Sequence, residues 1–156
     1  MANHRIFTIL TIALGVVTIS HAVVTWPVDA ILVFFGGGTL IAFVAEAIAI
    51  NLGWLDHHVG PKFIGVPPYP IFGWTGSIYI MFRLALLATT GWTAVVTTAA
   101  LAATYDLLTD HRGVADGYWT YTDDLPGPRF RGVPWWNFAG WFAVSFLLTA
   151  ITIPFL

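Results

Sequence analysis

Five apolar runs, each about as long as a hydrocarbon core is thick, constrain this chain more than any other feature. A core of ~30 Å needs roughly 20 apolar residues in a helix. Such runs cover residues of about 6–25, 28–50, 70–88, 91–109 and 136–155. In lipid no water satisfies an exposed N–H or C=O, so only helices and closed barrels span it. The sequence therefore predicts an all-α integral membrane protein, with five transmembrane helices in a single membrane domain over 1–156. Composition agrees, with 58% hydrophobic and 9% charged residues, where a soluble domain has about 25% charged. The first run is too long for the apolar core of a signal peptide, and no clear small-x-small cleavage site follows it. It reads as a retained span.

The connections alternate in length. Trp26-Pro27 and Thr89-Thr90 are tight, whereas 51–69 and 110–135 are long and polar. Arg5, Lys62, Arg112, Arg129 and Arg131 all lie on the side of the N-terminus and the long loops. By the positive-inside rule that side is cytoplasmic and the C-terminus is outside, which predicts a multi-pass protein of the cell membrane. A net charge of −2 without a basic run gives nucleic acid nothing to bind, and the absence of cysteine excludes disulfide and thiolate chemistry.

The long loops resemble each other. PKFIGVPPYPIFGW (61–74) and PRFRGVPWWNFAGW (128–141) share Pro, Phe, Gly-Val-Pro and Gly-Trp at one offset, with Lys62 matched by Arg129. Asp56 and Gly60 meet Asp123 and Gly127 at the same offset. The second and third spans thus form one hairpin and the fourth and fifth another, a parallel repeat of the kind that places a site at the repeat interface. Gly-Val-Pro also suits the start of any helix, since Pro fits the first turn. Gly36-Gly37-Gly38 and the Thr/Ala-rich run from Thr93 to Thr104 read as packing faces that let backbones approach.

Ionisable groups in a membrane are costly and usually functional. Glu46, Asp106 and Asp110 approach the inner end of their spans, and Asp56, His57, His58 and His111 follow in the inner loops. Asp106 and Asp110 are one turn apart and share a helix face. Asp116, Asp123 and Asp124 read as solvated loop charges. Near the outer side, Arg83 reads as paired with Asp29 or as snorkelling to the interface. The inner set contains metal-ligand types, but no HExxH or comparable spacing, so no metal is expected. Acid catalysis by a buried carboxyl group is the better fit. Aromatic faces stabilise cations, and the inner set lies among Tyr105, Trp119, Tyr121, Trp135, Trp136 and Trp141. Trp26, Trp54 and Trp92 read as interfacial anchors. Asn137 is placed to orient a water or cap a loop carbonyl.

Glu46, VGPKFIGVP (59–67), YDLLTDHRGVADGYWTY (105–121) and RGVPWWNFAGW (131–141) together resemble the carotenoid biosynthesis protein family, which includes the carotenoid 1,2-hydratases and the haloarchaeal bisanhydrobacterioruberin hydratases. The resemblance runs from about Glu46 to Trp141. It implies cofactor-independent addition of water to the terminal C=C of an acyclic carotenoid, giving a tertiary alcohol. Members are longer, with additional helices, so a homo-oligomer of this chain joins membrane lipid and a lipophilic polyene among the expected partners. Combined with the residues, the resemblance implies that Asp106 or Asp110 protonates the alkene, the two carboxyls sharing a proton. Tyr105 or Trp136 then stabilises the cation, and Glu46, His57 or His58 orients the water. Trp119, Tyr121, Trp135, Asn137 and Trp141 complete the substrate-binding set. The alternatives are an acid-catalysed carotenoid or terpene cyclase or isomerase, which would exclude water, and a non-catalytic carotenoid-binding protein.

The orientation is testable. A reporter active only outside the cytoplasm should be active when fused after Leu156 and silent within the 110–135 loop. The reverse pattern would overturn the assignment.

Overall fold

The computed structural model describes residues 3–156, which form five long helices: α1 (His4–Thr25), α2 (Val28–Asn51), α3 (Pro68–Ala88), α4 (Gly91–Ala115) and α5 (Trp135–Thr152). Four of them, α1, α2, α3 and α5, are long and apolar enough to cross a membrane. The fourth helix, α4, is equally long but runs six residues past the expected end at 109, carrying Asp110, His111 and Arg112 out of the expected loop and into a helix. It packs against both α3 and α5. Ala94, Val95, Thr98, Ala99 and Ala102 are buried along it, so the Thr/Ala-rich run is a packing face.

Small residues set how closely the helices approach. A Cβ on Gly15 of α1 would lie 2.6 Å from Phe72 of α3, and one on Gly73 of α3 would lie 2.9 Å from Thr11. A Cβ on Gly38 of α2 would lie 3.0 Å from Leu148 of α5 and 3.1 Å from Thr75 of α3. Just before that contact, α2 widens into a π-helical stretch, Leu32–Gly37, where the three glycines begin.

Away from the long loops, the core is aromatic. Trp26 meets Phe34, Tyr79 and Phe82 edge-on at 4.8–5.8 Å. Trp26 is thus a buried core residue and not the expected interfacial anchor. Its flat ring fills the gap between α2 and α3 at the tight Trp26-Pro27 turn. Trp92 is exposed, as an anchor requires. Among the described residues Arg83 forms no ion pair with Asp29.

The loop end holds the features that order the site. Helices α2 and α4 terminate in the same way, with Gly53 (φ 71°) and Gly117 (φ 73°) in the left-handed region. Trp54 N–H bonds Ala49 O at 2.8 Å and Tyr118 N–H bonds Gly113 O at 2.9 Å, the six-to-one bond of a Schellman motif. Each chain then enters a short strand, β1 (Leu55–His57) or β2 (Trp119–Tyr121). These pair antiparallel, Leu55 with Tyr121, Asp56 with Thr120 and His57 with Trp119. Exchanging β1 for β2 maps this register onto itself, as a two-fold relation between the hairpins requires. The long polar loops therefore hold the two halves together.

The repeat continues beyond the strands. A two-residue turn joins Phe63 to Val66 through Ile64 (φ 51°) and Gly65 (φ 80°). Its counterpart joins β3 (Arg129–Phe130) to β4 (Val133–Pro134) through Arg131 (φ 51°) and Gly132 (φ 88°). Positive φ at both central residues defines the type I′ hairpin turn. Pro67 and Pro134 then stand at the N-caps of α3 and α5, so Gly-Val-Pro is both a repeat and a helix start. The second loop is longer by a short insertion after Tyr121. Within it Asp123 reaches Arg129 at 3.5 Å, as Asp56 reaches Lys62 at 3.2 Å.

Because Gly15 abuts Phe72, Gly15→Ala should destabilise the protein by about 1–3 kcal/mol, the usual cost of overpacking. Adding Phe72→Ala should recover part of that loss. Thermal unfolding of both variants and the double variant in detergent checks this, and simple additivity would deny the contact.

Candidate active site

A cavity of about 700 Å³ lies beneath the β1–β2 pair, walled by all five helices and both long loops. It reaches Leu14 of α1, Ser77 of α3 and Val144 of α5. Val144 is two and a half turns into α5, roughly 13 Å from its start at 1.5 Å per residue. The cavity thus runs from the polar loop end to hydrocarbon depth.

Three buried carboxyl groups face this space, each held by a different element, and the exposed Asp116 borders it. Asp106 is 2% exposed, and Asn137 Nδ2 of α5 donates to its Oδ2 at 2.7 Å. The polar partner missing for so buried an acid is therefore Asn137, which holds a side chain and caps no loop carbonyl. Asp110, one turn on, accepts a bond from Tyr121 Oη of β2 at 2.9 Å. Burial, and next to it the Asp110 carboxylate, push the Tyr121 hydroxyl well above its ordinary range. It remains a donor. Glu46 lies at 3% exposure with Oε2 2.8 Å from His57 Nε2 of β1. His57 Nδ1 is 2.6 Å from Tyr69 Oη, at the start of α3.

The two-fold relation organises this set. Glu46 and Asp110 hold the same place, each seven residues before the glycine that ends its helix. His57 and Tyr121 are the exchanged ends of β1 and β2. The ring of His57 meets Tyr69 at 5.5 Å and 87°, and Tyr121 meets Trp136 at 5.5 Å and 83°. Glu46–His57–Tyr69 and Asp110–Tyr121–Trp136 are thus two copies of one arrangement with different chemistry. Trp74 and Trp141, matched in the repeat, pack on each other at 5.1 Å across the cavity wall, and Tyr105 lies 6.3 Å from Trp141.

Most of the expected site is brought together. Glu46, His57, Tyr105, Asp106 and Asp110 line the cavity, as do Trp119, Tyr121, Trp136, Asn137 and Trp141. His58 does not. Adjacent strand residues face opposite ways, and His58 follows His57 outward to bond Thr120 Oγ1 at 3.1 Å. Trp135 is half exposed and covers Gly127 instead. Asp106 and Asp110, expected to share a proton, each also have a hydrogen-bond partner from elsewhere in the chain, Asn137 and Tyr121, at one oxygen. Among the wall residues the sequence reading missed are Tyr69 and Trp74, and Trp54, expected to be an interfacial anchor, lines the cavity instead, packed on Trp136 at 5.6 Å. The repeat held a signal for two of them, since Tyr69 and Trp74 align with Trp136 and Trp141.

The profile of the family described as carotenoid biosynthesis protein matches residues 6–155, nearly the whole chain. The chain belongs to that family. This family member is 29% identical over 115 residues to a protein of Haloarcula japonica named bisanhydrobacterioruberin hydratase. The match covers 66% of this chain and 38% of that protein, so the chain spans well under half of its relative. No solved structure matches. Family membership ties the chain to carotenoid biosynthesis.

Tyr121→Phe would leave the buried Asp110 carboxyl without its hydroxyl partner. A lost partner of a buried polar group costs about 1–3 kcal/mol. A fall in unfolding temperature of the purified protein is expected, and an unchanged one would place Asp110 in water.

Proposed function

We propose that this protein is a carotenoid hydratase, adding water to the terminal C=C of an acyclic carotenoid end group. The observation that carries this reading is the Asp106–Asn137 pair, a buried acid fixed in a cavity that extends to hydrocarbon depth. A cavity of about 700 Å³ suits one end of a long polyene. Bisanhydrobacterioruberin, named in the Haloarcula japonica relative, is the substrate the resemblance favours.

Asn137 occupies Oδ2 of Asp106, leaving Oδ1 to carry the proton. Transfer to the less substituted alkene carbon forms the tertiary cation. The faces of Tyr105, Trp141 and Trp136 stand in the same cavity, and aromatic faces attract cations by about 0.5–2 kcal/mol each. Water then adds to the cation, giving a tertiary alcohol and one proton to dispose of. Glu46 and His57 face the same cavity, and polar groups there favour capture by water over cyclisation in a dry pocket. In this reading the cavity mouth and both long loops face the cytoplasm. Tyr121 and Asp110 order the wall, and no cofactor takes part.

The test is the carotenoid profile of membranes that carry the protein and an acyclic precursor. Wild type should add the mass of one water per end group. Asp106→Asn should lower the yield by about 10²-fold or more, the usual worth of a general acid. Equal hydration by both proteins would remove Asp106 from the role. Precursor left unchanged by wild type would return the protein to the carotenoid-binding class.

A further inference from the structure

The two-fold relation is broken where the chemistry differs, and the break sorts the cavity into two halves. In the second hairpin, α4 presents Asp106 and α5 presents Asn137. At the matching places the first hairpin has Ala42, one turn before Glu46, and Pro70. The acid pair therefore has no counterpart. In the first hairpin, Glu46, His57 and Tyr69 form an unbroken chain of contacts at 2.8 and 2.6 Å. At the matching places the second hairpin has Asp110, Tyr121 and Trp136. There the chain stops at the Tyr121–Asp110 bond, and the indole N–H of Trp136 is buried without a partner. One hairpin can supply a proton and the other can pass one on.

The direction of the chain follows from the donor inventory. A relay along it requires an ionised Glu46 and a neutral His57: the carboxylate is then an acceptor alone, His57 donates from Nε2, and its Nδ1 accepts from the Tyr69 hydroxyl. The oxygen of Tyr69 then has lone pairs to spare, and among the described residues His57 is its sole hydrogen-bond partner. Tyr69 is 2% exposed yet lines the cavity. A water bound there would donate to Tyr69 Oη while its own lone pair faces the cavity.

We infer that Tyr69 is the catalytic base of this site, taking the proton of the attacking water through a Glu46–His57–Tyr69 relay. The inference rests on the hydratase reading. As the water oxygen forms its bond to the tertiary cation, its proton passes to Tyr69 Oη. The hydroxyl proton of Tyr69 passes to His57 Nδ1, and the imidazolium so formed lies against the Glu46 carboxylate. Tyr69 gains one proton as it loses another and stays neutral. Asp106 has lost one proton and His57 has gained one, so the site keeps its charge, and exchange with solvent resets both. His57 takes up the proton through Tyr69, and Glu46 is a positioning residue that acts through His57.

Hydration in D₂O tests the relay, with purified protein in lipid vesicles and an acyclic carotenoid. Wild type should form alcohol bearing deuterium at the carbon next to the new C–O bond. Tyr69→Phe should lower alcohol formation about 10²-fold, yet Asp106 can still protonate the alkene and take a proton back. Recovered alkene should therefore carry deuterium, which also shows that the variant is folded and holds substrate. Asp106→Asn should lose both signals. Glu46→Gln, which keeps the shape of the site, should show a smaller loss of alcohol with exchange retained. Hydration by Tyr69→Phe within a few-fold of wild type would overturn the proposal. So would loss of both alcohol and exchange in that variant, since a base acts after protonation. Absence of alcohol from wild type itself would instead be failure of the hydratase reading.

Discussion

Three pairs of residues, 55–57 against 119–121, join two helical hairpins into one protein at the loop end. The short antiparallel ladder has consequences out of proportion to its size. It fixes His57 and Tyr121 over the ends of α2 and α4, where Glu46 and Asp110 wait for a partner. Leaving either carboxyl buried without one would cost several kcal/mol. The ladder thus makes the buried acids tolerable, and the acids hold the ladder in register. Tight helix ends make this possible, since Gly53 and Gly117 let each chain turn at once from helix to strand.

Internal duplication gives the cavity two similar walls, and departures from it give the walls different chemistry. Trp136 in place of Tyr69 ends the chain of contacts that runs from Glu46 through His57, while Asp106 and Asn137 in place of Ala42 and Pro70 put a buried acid on one side alone. The proposed hydration, which adds H⁺ to one carbon and OH⁻ to the next, calls for such an unsymmetrical pair. The shared aromatic residues, Trp74 and Trp141, line the seam where the halves meet.

The membrane constrains the rest. Four helices are apolar enough to stand in lipid, and the polar α4 is carried among them by packing against α3 and α5. Glycines at Gly15, Gly73 and Gly38 bring helices close enough to exclude lipid, because helices in lipid associate through packing and not through the hydrophobic effect.

By itself the sequence determined the helices, the duplicated hairpin, and the set of acids and aromatic residues at one depth. Hydrocarbon thickness, the Gly-Val-Pro repeat and the cost of buried charge are all written in residue order. Only the tertiary structure decided which groups meet. His57 turns inward and His58 outward because strand residues alternate, a fact invisible until residues 55–57 were known to be a strand. Asp106 and Asp110 share a helix face, and only the folded chain brings them their further partners, Asn137 and Tyr121. Tyr69 gave no sign beyond its alignment with Trp136. Its importance comes from a contact of 2.6 Å with His57, and long-range distance is what spacing along a chain cannot encode.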